Sequence, residues 1–192
     1  MSKQELQQRA FQASGVTFDE SQRALFLQHQ EPSLYHRLGG EEGCLELSTL
    51  FYERVYGDQE QEEAPWFWNI FSSSTKKEAV DNQYRFLVQT FGGPNLYQQK
   101  KGKYTRLVGR HAAYTISHRA ADRWVFHMNA SINEHSMLKD DEEAKEALIL
   151  YFKYMAHYIV SASDYMRPDQ VMKCTVLYCT VLYCTVLYCT VL

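Results

Sequence analysis

Phe91-Gly92-Gly93-Pro94, Tyr97, Gly102 and Gly109-Arg110-His111, followed thirteen residues later by Trp124, form the stretch on which the reading of this chain turns. Residues 94–116 show no sustained period, and Gly102 and Gly109 break the chain there. A connection of that length inside a compact domain is usually functional. The expectation is a loop that presents His111 with no helix side chains in its way. Upstream, Ala79-Val80-Asp81-Asn82-Gln83-Tyr84-Arg85-Phe86 reads as an amphipathic helix, with Ala79, Gln83 and Phe86 at i, i+4 and i+7. Thr75 and Glu78 stand at capping-box spacing at its start, and Gly92-Gly93-Pro94 stops it. Downstream, Ser117 stands as N-cap of a helix whose apolar face holds Ala120, Ala121, Trp124, Val125 and Met128.

Working outward, the rest of residues 33–157 also reads as helix. Ser33 to Leu38 is a short first helix closed by Gly39-Gly40. A second has Leu45, Ser48, Tyr52 and Val55 on one line, with Leu47, Leu50, Phe51 and Arg54 around it, and ends at Gly57-Asp58. Gln59 to Glu63 is a polar, acidic loop closed by Pro65 and the cluster Trp66-Phe67-Trp68. A last helix starts near Asp140-Asp141 and runs through Leu148, Tyr151, Met155 and Ile159. No alternating strand pattern precedes the tail, so the fold class is all-α. Residues 1–33 read as an N-terminal helical extension. Ser2 and Glu5 form its capping box, Leu6, Ala10 and Phe11 its weak stripe, and Gly15 its stop.

The chain has 192 residues, enough for one domain with appended ends. A formal charge of −3 and a pI near 6.2 argue against a nucleic-acid partner, which calls for a basic face. Of five cysteines, only Cys44 lies in the body of the chain, so no disulfide framework is described. A solitary body cysteine suits a reducing compartment, and the polar start Met1-Ser2-Lys3-Gln4-Glu5 lacks a signal core; the expected location is cytoplasmic. From Cys174 the pentapeptide Cys-Thr-Val-Leu-Tyr repeats to Leu192. Period five matches neither a helix face nor a strand face. Threonine, tyrosine and cysteine in every unit make a poor membrane span. The segment 166–192 is therefore expected to be a disordered repeat tail rather than an anchor.

Seven histidines compete as metal ligands. His29 and His36 lie in polar surroundings and His135 in a connecting loop. His118, His127 and His157 lie on or near helices, where a satisfied or exposed imidazole is the usual state. One nitrogen ligand on a loop, facing a helix that carries a polar donor, is what a bound haem requires, and His111 with Gln83 meets that description. Taken singly, Tyr52 is an ordinary amphipathic core residue, Gln83 a half-exposed helix residue and Trp124 a core filler. Taken together they require three coincidences. Their O–H, amide N–H and indole N–H are all donors able to meet a polar diatomic ligand.

Leu38-Gly39-Gly40, Phe51-Tyr52 with Val55, and Phe71 ahead of Thr75-Lys76-Lys77-Glu78 come first in a longer ordered series. Gln83, Phe86, Gly92-Gly93-Pro94, Tyr97, Gly102, Gly109-Arg110-His111 and Trp124 complete it. Over residues 34–160 this set resembles a truncated haemoglobin of group II, of the class 3 type of plants and green algae. The resemblance implies a two-over-two helical sandwich around haem b, with a globin domain spanning 34–165. It implies that His111 is the proximal iron ligand and that Tyr52, Gln83 and Trp124 point into the distal pocket. Ala79 would stand where many globins place a distal histidine, Phe71 and Phe86 would pack on the porphyrin, and Tyr97 and Arg110 would meet the propionates. Leu107 and Tyr114 complete the implied haem contacts. The chain departs from the pattern in a longer acidic loop, in a tyrosine at 114 where phenylalanine is common, and in the terminal repeat.

Three functions compete on this reading. The first is a haem protein that holds dioxygen tightly. The second is an enzyme at the same site, oxidising nitric oxide or reducing peroxide; it needs an external reductase, because the chain has no dinucleotide-binding glycine fingerprint. The third is a helical interaction module in which His111 is incidental. The resemblance also allows a homodimer.

Overall fold

The computed structural model describes residues 2–58, 64–71, 73–102, 107–111 and 116–166. Its helices are α1 (Lys3–Ser14), α2 (Phe18–Ser21), α3 (Arg23–Leu27), α4 (Leu34–Arg37), α5 (Gly40–Gly57) and α6 (Ala64–Asn69). They continue with α7 (Lys76–Thr90), α8 (Leu96–Lys101), α9 (Leu107–His111), α10 (His118–Glu134), a 3-10 turn (Ser136–Leu138) and α11 (Glu142–Met166). No strand occurs among the described residues, as the all-α reading requires. None of these helices is long and apolar enough to cross a membrane. The acidic loop 59–63 and the repeat from Cys174 onward lie outside the described residues.

Helix starts follow local chemistry. Ser2 Oγ accepts from the Glu5 amide at 3.2 Å while Ser2 N–H donates to the Glu5 carboxylate at 2.6 Å. The same reciprocal pair joins Thr75 and Glu78 at 3.2 and 3.0 Å. Ser117 Oγ accepts from the Ala120 amide at 3.2 Å and starts α10. Each such cap satisfies donors that the first turn leaves unpaired. Gly15 ends α1 at φ 69°, a left-handed conformation that costs glycine least.

The core is built on two helix pairs, α5 with α7 and α10 with α11, with α5 also packed on α10. Leu47, Phe51, Leu87, Met128, Ile132 and Leu148 are fully buried between them. Each such side chain contributes about 1.5–3 kcal/mol by leaving water. The buried face of α5 differs from the expected line. Cys44, Leu47, Ser48, Phe51 and Val55 face inward, whereas Leu45 is exposed. The reason is the close approach at Gly43: a Cβ there would meet the Leu38 carbonyl oxygen at 1.5 Å. His135 Nε2 also lies 2.9 Å from the Gly43 carbonyl, so this edge of α5 must face the protein.

The extension lies along the last helix, α1, α2 and α3 all packing on α11. Ala10 and Val16 meet Tyr154 in a small second cluster. Phe11, expected in the stripe, is instead exposed, because the contact with α11 takes the Ala10 side of α1.

Two further expectations are corrected. Trp66-Phe67-Trp68 belongs to a short helix, α6, rather than to a loop end; Pro65 in its first turn forfeits no intrahelical bond. The segment 94–116 carries α8 and α9 rather than continuous loop. Helices of six and five residues are too short to register a period, and they form by packing, α8 on α7 and α9 on α11.

Candidate functional site

A cavity of about 280 Å³ opens among α5, α6, α7, α8, α9, α10 and α11. That is close to the lower end of the roughly 300–1,000 Å³ of small-molecule sites. Seven of the expected residues line it together: Tyr52 from α5, Phe71 after α6, Gln83 and Phe86 from α7, Tyr97 from α8, His111 from α9 and Trp124 from α10. His111 is thus the last residue of a short helix, not a loop residue. Ala79 is buried one turn before Gln83 and is not among the residues lining the cavity. The backbone of Leu107 and Arg110 lies in α9 with His111; their side chains, and Tyr114 entirely, lie outside the described residues.

The wall is mainly apolar and rich in aromatic rings. Phe51 packs behind it, 4.9 Å from Tyr52 and 4.8 Å from Trp124 between ring centroids. Tyr52 meets Phe71 edge-on at 6.2 Å, and Phe86 meets Tyr97 edge-on at 5.5 Å. Such contacts fix ring planes as well as positions. The result is a cavity with largely apolar walls.

Polar residues lining this apolar cavity are few. The Gln83 Oε1 and Asn82 Oδ1 atoms are buried with no hydrogen-bond partner. An orphaned buried polar group costs about 1–3 kcal/mol, which an occupant with a complementary group recovers. Burial raises the Tyr52 phenol above its ordinary range, so it stays a neutral donor. An imidazole, neutral donors and aromatic walls together suit a flat, largely apolar cofactor whose metal takes a nitrogen ligand.

Several lining residues carried no distinct signal in the sequence. Tyr151, Met155 and Ile159 line the cavity from α11, yet their spacing reads equally as ordinary core. Phe67 and Phe152 contribute rings that only the tertiary packing brings in. Asn82 is beside Gln83 in sequence and was the one further polar residue within reach of a helical reading.

The remaining histidines have structural partners. His127 Nε2 lies 2.8 Å from Asp58, and His135 is buried against the Gly43 carbonyl. His118 and His157 face each other through their Nδ1 atoms at 2.9 Å, and His36 Nδ1 lies 2.9 Å from Ser33 Oγ. His111 is the histidine that lines the cavity.

Comparison with known proteins agrees with this geometry. The family described as Bacterial-like globin matches residues 33–160. A group 2 truncated hemoglobin 3-1 from Lotus japonicus is 37% identical over 171 residues, 89% of this chain and 94% of the relative. Two-on-two hemoglobin-3 from Arabidopsis thaliana is 37% identical over 161 residues, 84% of this chain and 85% of the relative. Among solved structures, a thermostable hemoglobin from Thermobifida fusca superimposes with a TM-score of 0.58 at 30% identity, covering 67% of this chain and 96% of that one. A truncated oxygen-avid haemoglobin from Bacillus subtilis gives 0.56 at 30% identity, covering 67% and 98%. With its helix pairs, its slot and these relatives, the chain belongs to the bacterial-like globin family, among the group 2 truncated haemoglobins.

Proposed function

We propose that this chain holds dioxygen tightly on haem b, with His111 as the iron ligand and Tyr52, Gln83 and Trp124 as the donors that retain the gas. The observation that carries the reading is the shared cavity: His111, Tyr52, Gln83 and Trp124 line it together, and the Gln83 Oε1 is buried without a hydrogen-bond partner. Haem supplies an iron that takes up dioxygen reversibly. The protein's part is positioning. Tyr52 on α5, Gln83 on α7 and Trp124 on α10 set O–H, N–H and indole N–H groups around one small volume. Phe71 and Phe86 would support the macrocycle, and Tyr97 with Arg110 would meet its carboxylates. No Cys-x-x-Cys-His occurs in the sequence, which supports haem b over a covalently attached haem. A buried lone body cysteine supports the cytoplasm as its compartment.

Each neutral hydrogen bond is worth about 1 kcal/mol net, so two slow ligand release roughly thirtyfold. That magnitude favours retention over delivery. The Bacillus relative, itself described as oxygen-avid, supports the same direction. Stopped-flow release of oxygen from the ferrous protein tests it. Tyr52→Phe with Gln83→Leu should release about thirtyfold faster than the parent chain. Equal rates would sink the reading. Oxidation of nitric oxide or reduction of peroxide would use the same residues and an external reductase; nitric oxide consumption in the presence of a reductase distinguishes that use.

A further inference from the structure

The three donors of the cavity sit on three helices, so their value depends on what holds those helices in register. Asp58 closes α5, six residues beyond Tyr52, and its carboxylate is only 5% exposed. Arg123 Nε donates to Asp58 Oδ2 at 2.9 Å and Arg123 Nη2 donates to Oδ1 at 2.6 Å, a two-point grip. His127 Nε2 lies 2.8 Å from Oδ2. Burial lowers the His127 pKa despite the carboxylate, so the ring is neutral at ordinary pH and donates its Nε2–H. Burial alone would raise the Asp58 pKa, but the bonds from Arg123 and His127 outweigh it and hold it below the usual range.

None of these three side chains lines the cavity. Two of them, Arg123 and His127, are one step from a residue that does. Arg123 immediately precedes Trp124 in α10. The His127 ring stacks on Phe67 at 5.7 Å and 28°. Phe67, itself a lining residue, meets Phe71 at 5.2 Å, and Phe71 meets Tyr52 at 6.2 Å. One buried carboxylate therefore ties the end of the Tyr52 helix to the Trp124 helix and, through a ring stack, to the wall between them.

We infer that Asp58, acting through Arg123 and His127, is a positioning residue that sets the separation of Tyr52 and Trp124 and thereby how firmly the cavity holds a small polar ligand. The inference rests on the oxygen-binding reading above. With Asp58 neutralised, Arg123 loses this charge partner and the tie between the end of α5 and α10 loosens, leaving the core packing and the Arg54–Glu134 ion pair to hold the two helices. Trp124 and Phe67 then shift with α10, and the donor geometry relaxes.

The test uses the full haem-loaded chain and two readouts: oxygen release, and the carbon–oxygen stretch of the ferrous carbonyl complex, which reports donors near the bound gas. Asp58→Asn keeps the size of the side chain and removes its charge. The expected result is release several-fold faster than the parent, with the stretch shifted or split into more than one band. If Asp58→Asn fails to fold, Arg123→Gln removes the two-point grip while leaving the His127 bond, and the same two changes are expected. A variant that melts at a lower temperature but keeps the parental release rate and stretch would overturn the inference and leave Asp58 with a purely structural role. A parent chain that binds no haem, or one whose release is unaffected by Tyr52→Phe with Gln83→Leu, would instead overturn the function on which the inference rests.

Discussion

Replacing Gln83 by leucine separates the energetics of the empty slot from those of the filled one. The Gln83 Oε1 is buried without a partner among the described residues. Such an orphan costs about 1–3 kcal/mol, and leucine, similar in size and apolar, removes the cost. The apoprotein should therefore gain about 1–3 kcal/mol of stability, or roughly 2–12 °C in Tm for a chain of this length. In the haem-loaded protein the sign of the functional effect is opposite. The amide, turned to offer its N–H, donates to the bound gas, and losing one neutral bond of about 1 kcal/mol speeds oxygen release about fivefold. Calorimetry of the apoprotein and stopped-flow release from the loaded form read the two halves independently. An apoprotein that is destabilised, together with unchanged release, would refute the reasoning, since it would mean that the amide is satisfied within the protein and faces no ligand.

Other expectations concern the scaffold. Gly43→Ala should lower stability by at least about 1–3 kcal/mol, because the obstacle 1.5 Å from the new methyl is the Leu38 carbonyl and backbone gives little; an unchanged Tm would contradict the close approach. Burial first of all lowers the pKa of His127 and of His157. The unfolded chain then takes up protons before the folded one, so stability is complete above about pH 6.5 and falls as pH drops below it. Urea midpoints that are equal at neutral pH and at about pH 5 would contradict this. Burial pushes the Cys44 thiol up to about 12, so an alkylating reagent at mildly alkaline pH should leave that residue unmodified in mass maps until the chain unfolds; early modification would show that the α5 interface opens.

Much of the fold was legible because it is local. Capping boxes at Ser2 and Thr75, the cap at Ser117, and the stripes through Gln83 and Trp124 all act within a few residues. The α5 face was misread at Leu45, since the true face is set by a contact between Gly43, Leu38 and His135, the last more than ninety residues away. α8 and α9 were missed because elements of five or six residues contain too few turns to carry a period. In the site, His111, Tyr52, Gln83 and Trp124 could be picked out by the polarity or size of their side chains in an ordered series. Phe67, Phe152 and Ile159 could not, for an aromatic or aliphatic residue looks the same in sequence whether its neighbours are protein or a cavity. The Asp58 knot joins partners sixty-five and sixty-nine residues apart, and nothing local marks it.

The most direct test of the haem reading is an absorption spectrum of the purified chain in ferric, dithionite-reduced and oxygenated forms, recorded beside His111→Ala. A Soret band that shifts on reduction and again on oxygenation is expected in the parent, and its loss or strong alteration in the variant. A parent chain that stays colourless after incubation with haemin, or a variant whose bands match the parental ones, would contradict the assignment of His111 as the ligand of a haem in this cavity.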